Sequence, residues 1–117
     1  MKLKQHYNKA LDAILLILYC SFIYWLSAQS SLPTPLSFPY QDKVMHFGAY
    51  FILAGFSARA FRHIPLSLIG WLLSSLIFSS LYGASDEWHQ SFVVGRSADI
   101  YDWLADTTGA AICLFSI

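Results

Sequence analysis

Four apolar stretches, separated by polar segments, set the plan of the chain. From Leu11 to Ala28 the sequence LDAILLILYCSFIYWLSA is broken only by Asp12, Ser21 and Ser27. About 18 residues of helix rise about 27 Å, close to the roughly 30 Å hydrocarbon core of a bilayer. A second stretch, HFGAYFILAGFSARAF, starts at His46 and reaches spanning length, residues 43–61, once its first turn includes the residues just before it. Pro65 opens a third, residues 65–82, in keeping with proline's fit to a first helical turn. The fourth runs over 99–117, with Gly109, Ala110 and Ala111 near its middle. Between them lie polar segments at 29–42, where Pro33, Pro35 and Pro39 exclude a regular helix, and at 83–98. The pattern predicts an all-α single domain over 1–117: an integral membrane bundle of four transmembrane helices with two polar loops on its outer face.

Composition agrees with lipid as the main solvent. Of 117 residues, 56% are hydrophobic and 12% charged, with no net charge; a soluble domain carries about 25% charged residues. Disorder is excluded, since it needs low hydrophobicity and high charge. Without a basic excess no nucleic-acid partner is expected. Cys20 and Cys113 lie in apolar runs and form neither a disulfide framework nor a zinc pattern. A cleaved signal peptide competes with the first span, but Tyr24 and Trp25 crowd the only small-residue cleavage point and suit a membrane-interface belt. With the N-terminus inside, Lys2, Lys4, Lys9, Arg59 and Arg62 are cytoplasmic, and only Lys43 and Arg96 are outside. The positive-inside rule therefore predicts both termini in the cytoplasm. Asp42, Asp86, Glu87, Asp99, Asp102 and Asp106 then gather at the outer end, leaving Asp12 alone inside.

Those acids share helix faces with other reactive groups. Asp42, His46 and Tyr50 recur every four residues, with Lys43 beside them. Tyr82, Asp86 and His89 or Gln90 share a face on the third helix and its extension, as do Asp99, Asp102 and Asp106 on the fourth. Ionisable groups in membrane helices face the bundle interior or a wet cavity. Glu87, His46 and Asp102 are the candidates for acid–base catalysis. Asp42, Lys43, Tyr50, Asp86, His89, Gln90, Arg96, Asp99 and Asp106 are the candidates for ligand binding, with Arg96 and Lys43 suited to a phosphate. Blander roles stand beside these. Asp42 and Asp99 sit where an acid caps a helix, Lys43 and Arg96 where a cation sets topology, and His6 and His63 where a histidine is simply solvated. A metal site from His46, Glu87, His89 and Asp102 has no HExxH or CxxC spacing behind it, so no metal ligand is assigned. The cofactor is unknown from sequence.

These residues also carry a resemblance. Ser31 to Pro39 with Asp42-Lys43-x-x-His46-x-x-x-Tyr50, then Asp86-Glu87-Trp88-His89-Gln90-Ser91-Phe92-Val93-Val94-Gly95-Arg96, then Asp102-x-x-x-Asp106-x-x-Gly109-Ala110 resemble, in that order, the VanZ-like family of small bacterial membrane proteins. The resemblance covers about residues 25–117. It implies a polytopic membrane protein, in a family named for a protein linked to teicoplanin resistance. Val94 stands where the family often has proline, which implies a less rigid loop. Asp106 stands where many members have asparagine; aspartate can titrate or bind a cation, whereas asparagine can only hydrogen-bond.

Four functions fit this reading. The first is an envelope protein of the bacterial cytoplasmic membrane, binding or modulating an anionic lipid or lipid-linked wall precursor at an outer-face pocket. The second makes that pocket the active site of a hydrolase or transferase acting on a lipid headgroup. The third is structural, with the acids and Arg96 as a buried ion-pair network that sets helix register. Transport is the fourth, and it would need an oligomer for room. Membrane lipids are the expected partners in all four.

Overall fold

The first apolar stretch forms a single long helix, α1 (Lys2–Ser27). Asp12, Leu16, Ile23 and Ser27 recur at helical spacing as its buried row. Ile14, Ile17, Leu18, Phe22 and Trp25 cover the rest and are exposed. A helix that is apolar on its outer face as well as its inner one is built for lipid. In the computed structural model, which describes residues 2–29 and 41–117, three further helices follow: α2 (Gln41–Phe61), α3 (Leu68–Gln90) and α4 (Ile100–Phe115). No strand occurs among the described residues. The proline linker Ser31–Pro39 lies outside them.

Helices α1, α2 and α3 are long and apolar enough to cross a membrane, over Asn8–Ser27, Asp42–Phe61 and Leu68–Gln90. The expectation of four such spans is corrected at α4. Its 16 residues give only about 24 Å of helix, and Asp102 and Asp106 are buried in it. The third helix differs too. It starts at Leu68, where Ser67 accepts a hydrogen bond from the Gly70 amide at 3.1 Å, rather than at Pro65. It runs eight residues past Tyr82 to Gln90, so only the second half of the expected 83–98 loop is a connection. Polar residues do not end this helix because Gly83, Asp86, Glu87 and Gln90 are one buried face turned toward α2 and α4.

The helices alternate in direction. Lys43 near the start of α2 meets Asp99 at the start of α4, and Gly55 faces Cys113 further along both, so α2 and α4 run parallel. α3 runs between them the opposite way, with its last turns beside their first. Gly109 lets α2 and α4 touch: a Cβ there would lie 2.3 Å from the Phe47 carbonyl oxygen. Ala54, Ala58, Ala110, Cys113 and Leu114 pack the rest of that seam. Two indoles add cross-links. Trp71 Nε1–H donates to the Ala58 carbonyl at 2.8 Å, and Trp103 Nε1–H to the Ser80 carbonyl at 3.0 Å. Of the α3 serines, Ser80 reaches across to Thr107, while Ser74, Ser75 and Ser79 bond back to their own helix. α1 packs outside this trio, against α2 and α3.

Candidate functional site

Each end of the bundle carries a cluster of ionisable groups, and the two differ in charge balance. At the end where α2 turns into α3, one acid meets three bases. Asp12 is 2% exposed. Its oxygens lie 3.1 Å from Arg59 Nη2, 3.1 Å from Arg62 Nη2 and 2.8 Å from His63 Nε2. His63 is therefore tied to α1 rather than merely solvated. The cluster joins α1 to the far end of α2, and every carboxylate oxygen has a cation beside it. This is the arrangement a register-fixing network requires.

The opposite end holds the excess of acid. α2 supplies Asp42, Lys43, His46 and Tyr50, α3 supplies Asp86, Glu87 and Gln90, and α4 supplies Asp102 and Asp106 behind its cap, Asp99. At the mouth, Lys43 Nζ lies 2.9 Å from Asp42, 2.7 Å from Asp99 and 3.0 Å from Asp102. The Lys43 ammonium, with the Tyr101 amide, holds the Asp99 carboxyl below the usual carboxylate range. Of the three N–H groups of its ammonium, Lys43 donates two to Asp42 and Asp99, and Asp102 Oδ1 stands 3.0 Å from the nitrogen. Asp99 is confirmed as a helix cap, accepting from the Tyr101 amide at 2.9 Å.

One turn deeper, His46 Nδ1 lies 2.8 Å from Asp106 Oδ1 and 3.8 Å from Glu87 Oε1, and its Nε2 lies 3.7 Å from Asp102 Oδ2. Tyr50 donates its hydroxyl to Asp86 Oδ2 at 3.0 Å, and the Asp99 amide donates to Glu87 Oε2 at 3.0 Å. Asp86 Oδ1, Glu87 Oε1, Asp102 Oδ1 and Asp106 Oδ2 are buried without a hydrogen-bond partner among the described residues, as is Asp12 Oδ1 at the other end. Asp106 is fully buried and sits against Gly83, where a Cβ would come within 3.0 Å of its Oδ2. An unsatisfied buried acceptor costs about 1–3 kcal/mol. One ligand-type atom from each of His46, Asp86, Glu87 and Asp106 lies within 4.8 Å of the others.

The helix-face reading from sequence thus brings His46, Tyr50, Asp86, Glu87, Asp102 and Asp106 together. It does not bring in His89, whose Nδ1 lies 3.1 Å from Ser27 Oγ and whose ring stacks on Tyr24. Arg96 leans toward α1, because Gly95 takes a left-handed φ of 85° that turns the chain there. Its Nη1 donates to the Leu26 and Gln29 carbonyls at 3.1 and 3.0 Å, and its other donors have no partner among the described residues. Between α1 and this cluster is a cavity of about 70 Å³ with Ile23, Leu26, Met45 and Ala49 on its apolar side and His46, Tyr50, Asp86, Gln90 and Arg96 on its polar side. Phe92 and Val94 are exposed at 70% and 87% and do not line it.

The family described as VanZ/LLP1 matches residues 5–117, so the match takes in both clusters and all four helices. The chain belongs to the VanZ-like family. Comparison with curated proteins and with solved structures found no match. Within this VanZ-like chain, sequence reasoning missed the Asp12 cluster and the pairing of Ser27 with His89. A lone acid in the first span and three bases at the end of the second were the available signal.

Removing the Tyr50 hydroxyl leaves Asp86 Oδ2 as a second unpaired oxygen on that carboxylate. Tyr50→Phe is expected to cost about 1–3 kcal/mol, seen as a lower unfolding midpoint in detergent, although Tyr50 is 1% exposed and its ring still fits. An unchanged midpoint would mean that the Tyr50–Asp86 bond does not form.

Proposed function

We propose that this VanZ-like protein works in the bacterial cytoplasmic membrane, with both termini on the cytoplasmic side, and binds an anionic envelope lipid or lipid-linked wall precursor at its outer-face pocket. The observation that carries this reading is the cavity beside Arg96, where Ile23, Leu26, Met45 and Ala49 meet the polar groups of His46, Tyr50, Asp86 and Gln90. A lipid is the ligand whose own chemistry changes over the same distance, from chain to headgroup. Arg96 is the headgroup contact, since a guanidinium suits a phosphate and only its Nη1 is bonded among the described residues, whereas Lys43 is ringed by Asp42, Asp99 and Asp102. The positive-inside rule supports this orientation, since Arg59 and Arg62 gather at the Asp12 end of the bundle. If the bound lipid is a wall precursor, occupancy changes how a glycopeptide reaches its target, which is the link to resistance.

Native mass spectrometry of the purified protein tests this. Wild type is expected to retain phosphatidylglycerol or an undecaprenyl-phosphate-linked precursor in preference to phosphatidylethanolamine. Arg96→Gln is expected to lose that preference by about tenfold, the loss of a charge-assisted bond of roughly 1.5–3 kcal/mol. Equal retention of anionic and zwitterionic lipid by wild type would refute the reading.

A further inference from the structure

The deep carboxylates carry a second inference, which does not depend on the lipid reading. His46, Asp86, Glu87 and Asp106 each present one ligand-type atom, and these atoms all lie within 4.8 Å of one another. Asp86, Glu87 and Asp106 are each more than nine-tenths buried, and each has an oxygen with no hydrogen-bond partner. Lys43 does not serve them. It is held one turn away by Asp42, Asp99 and Asp102, which outnumber it already. Three carboxylates beside one imidazole make a donor set whose charge a bound cation would balance.

We propose that these four residues bind one divalent transition-metal cation, Mn²⁺ or Zn²⁺. One nitrogen and three carboxylate oxygens form a hard-to-borderline donor set. Imidazole favours transition metals over Mg²⁺ and Ca²⁺, and the absence of thiolate excludes a soft-metal preference. With bonds of about 2.1 Å, tetrahedral ligands lie about 3.4 Å apart and opposite ligands of a six-coordinate ion about 4.2 Å apart, so the atoms, now within 4.8 Å of one another, must draw in by about 0.5–1.5 Å to close the shell. His46 Nδ1 and Asp106 Oδ1, 2.8 Å apart, sit as neighbouring ligands.

The surroundings have the form of an outer shell. Tyr50 fixes the far oxygen of Asp86, and the Asp99 amide fixes the far oxygen of Glu87, which leaves Oδ1 and Oε1 for the ion. Asp102 lies on the Nε2 side of His46, where it favours the tautomer that frees Nδ1. Gly83 leaves the space beside Asp106 Oδ2 open. His46, Tyr50 and Asp86 also line the cavity beside α1, which provides access and room for a water ligand.

The test uses the full chain in detergent without added lipid, stripped with chelator and titrated calorimetrically with Mn²⁺, Zn²⁺, Mg²⁺ and Ca²⁺ in turn. Wild type is expected to take up about one Mn²⁺ or Zn²⁺ per chain. Asp106→Asn and Glu87→Gln are each expected to weaken that binding by about tenfold or more, while Arg59→Gln, at the other end of the bundle, leaves it unchanged. Uptake of none of the four, uptake of Mg²⁺ or Ca²⁺ in preference, or unaltered affinity in both carboxamide variants overturns the site. Should the variants not fold, electron-spin-echo spectroscopy of wild type with bound Mn²⁺ decides. Coupling to a single imidazole nitrogen is expected; coupling to none, or to several, overturns it.

Discussion

Gly109→Ala is expected to destabilise the protein more than any other single-methyl addition to its helices. The new Cβ would lie 2.3 Å from the Phe47 carbonyl oxygen, 3.0 Å from its carbon and 3.2 Å from its Cα, all backbone atoms that cannot swing aside. Contacts between carbon and carbonyl oxygen settle near about 3.3–3.6 Å, so α2 and α4 must part by about 1 Å. That movement would loosen the Ala54, Ala58, Ala110, Cys113 and Leu114 seam and pull His46 away from Asp106. Overpacking of this kind costs about 1–3 kcal/mol, occasionally more, and the backbone clash puts Gly109 at the upper end. Better helix propensity returns about 1 kcal/mol, leaving a net loss of about 2 kcal/mol. Gly48→Ala is the matched control. Nothing lies within 4 Å of its Cβ position, so it is expected to gain about 0.5–1 kcal/mol. Unfolding midpoints of the two variants in one detergent give the comparison. Equal midpoints would show that α2 and α4 do not approach so closely.

The second large effect is expected at the other end of the bundle. Asp12→Ala removes the only acid facing Arg59, Arg62 and His63. Truncating one partner of a fully buried pair costs about 3–5 kcal/mol. Arg59 and Arg62 side chains are 54% and 47% exposed, however, and can return to water. Screening therefore reduces the expected loss to about 2 kcal/mol. Arg59→Gln, which leaves two cations on Asp12, is expected to cost less than about 1 kcal/mol. The order of midpoints, Asp12→Ala below Arg59→Gln below wild type, is the check. If Asp12→Ala matches wild type, the cluster does not anchor α1.

Residue periodicity made the outer site legible, because the same 3.6-residue repeat that places apolar residues on a lipid-facing surface places polar ones on a shared inner face. Asp42, His46 and Tyr50, and then Asp102 and Asp106, could be assigned to common faces for that reason. The true end of α3 could not. A run as polar as Ser85-Asp86-Glu87 reads as a loop unless its partners across the bundle are known, and those partners, Tyr50 and the Asp99 amide, are 36 and 12 residues away. Lys43 was misread similarly. A lysine at a membrane surface looks free to take a phosphate until Asp99 and Asp102, from another helix, are seen to occupy it. The length of α4 was overread because hydrophobicity continues past the point where the helix stops at Phe115. Asp12 was passed over because its partners lie 47 to 51 residues on.

The two attachments of α1 have a mechanical meaning. One is the Asp12 cluster; the other consists of Arg96 on the Leu26 and Gln29 carbonyls and His89 beside Ser27. About 22 Å of helix separates Asp12 from Ser27. Because α1 packs only on α2 and α3, nothing among the described residues confines it on its outer side. A pivot of 10° at Asp12 would therefore carry Ser27 through about 4 Å, on the microsecond-to-millisecond scale of helix motions. Ile23, Leu26 and Ser27 are the α1 side of the cavity wall, so the lever stands where a doorway would. Its catch is Arg96 Nη1, on the same guanidinium whose remaining N–H groups would meet an arriving phosphate, so latch and headgroup contact are one side chain.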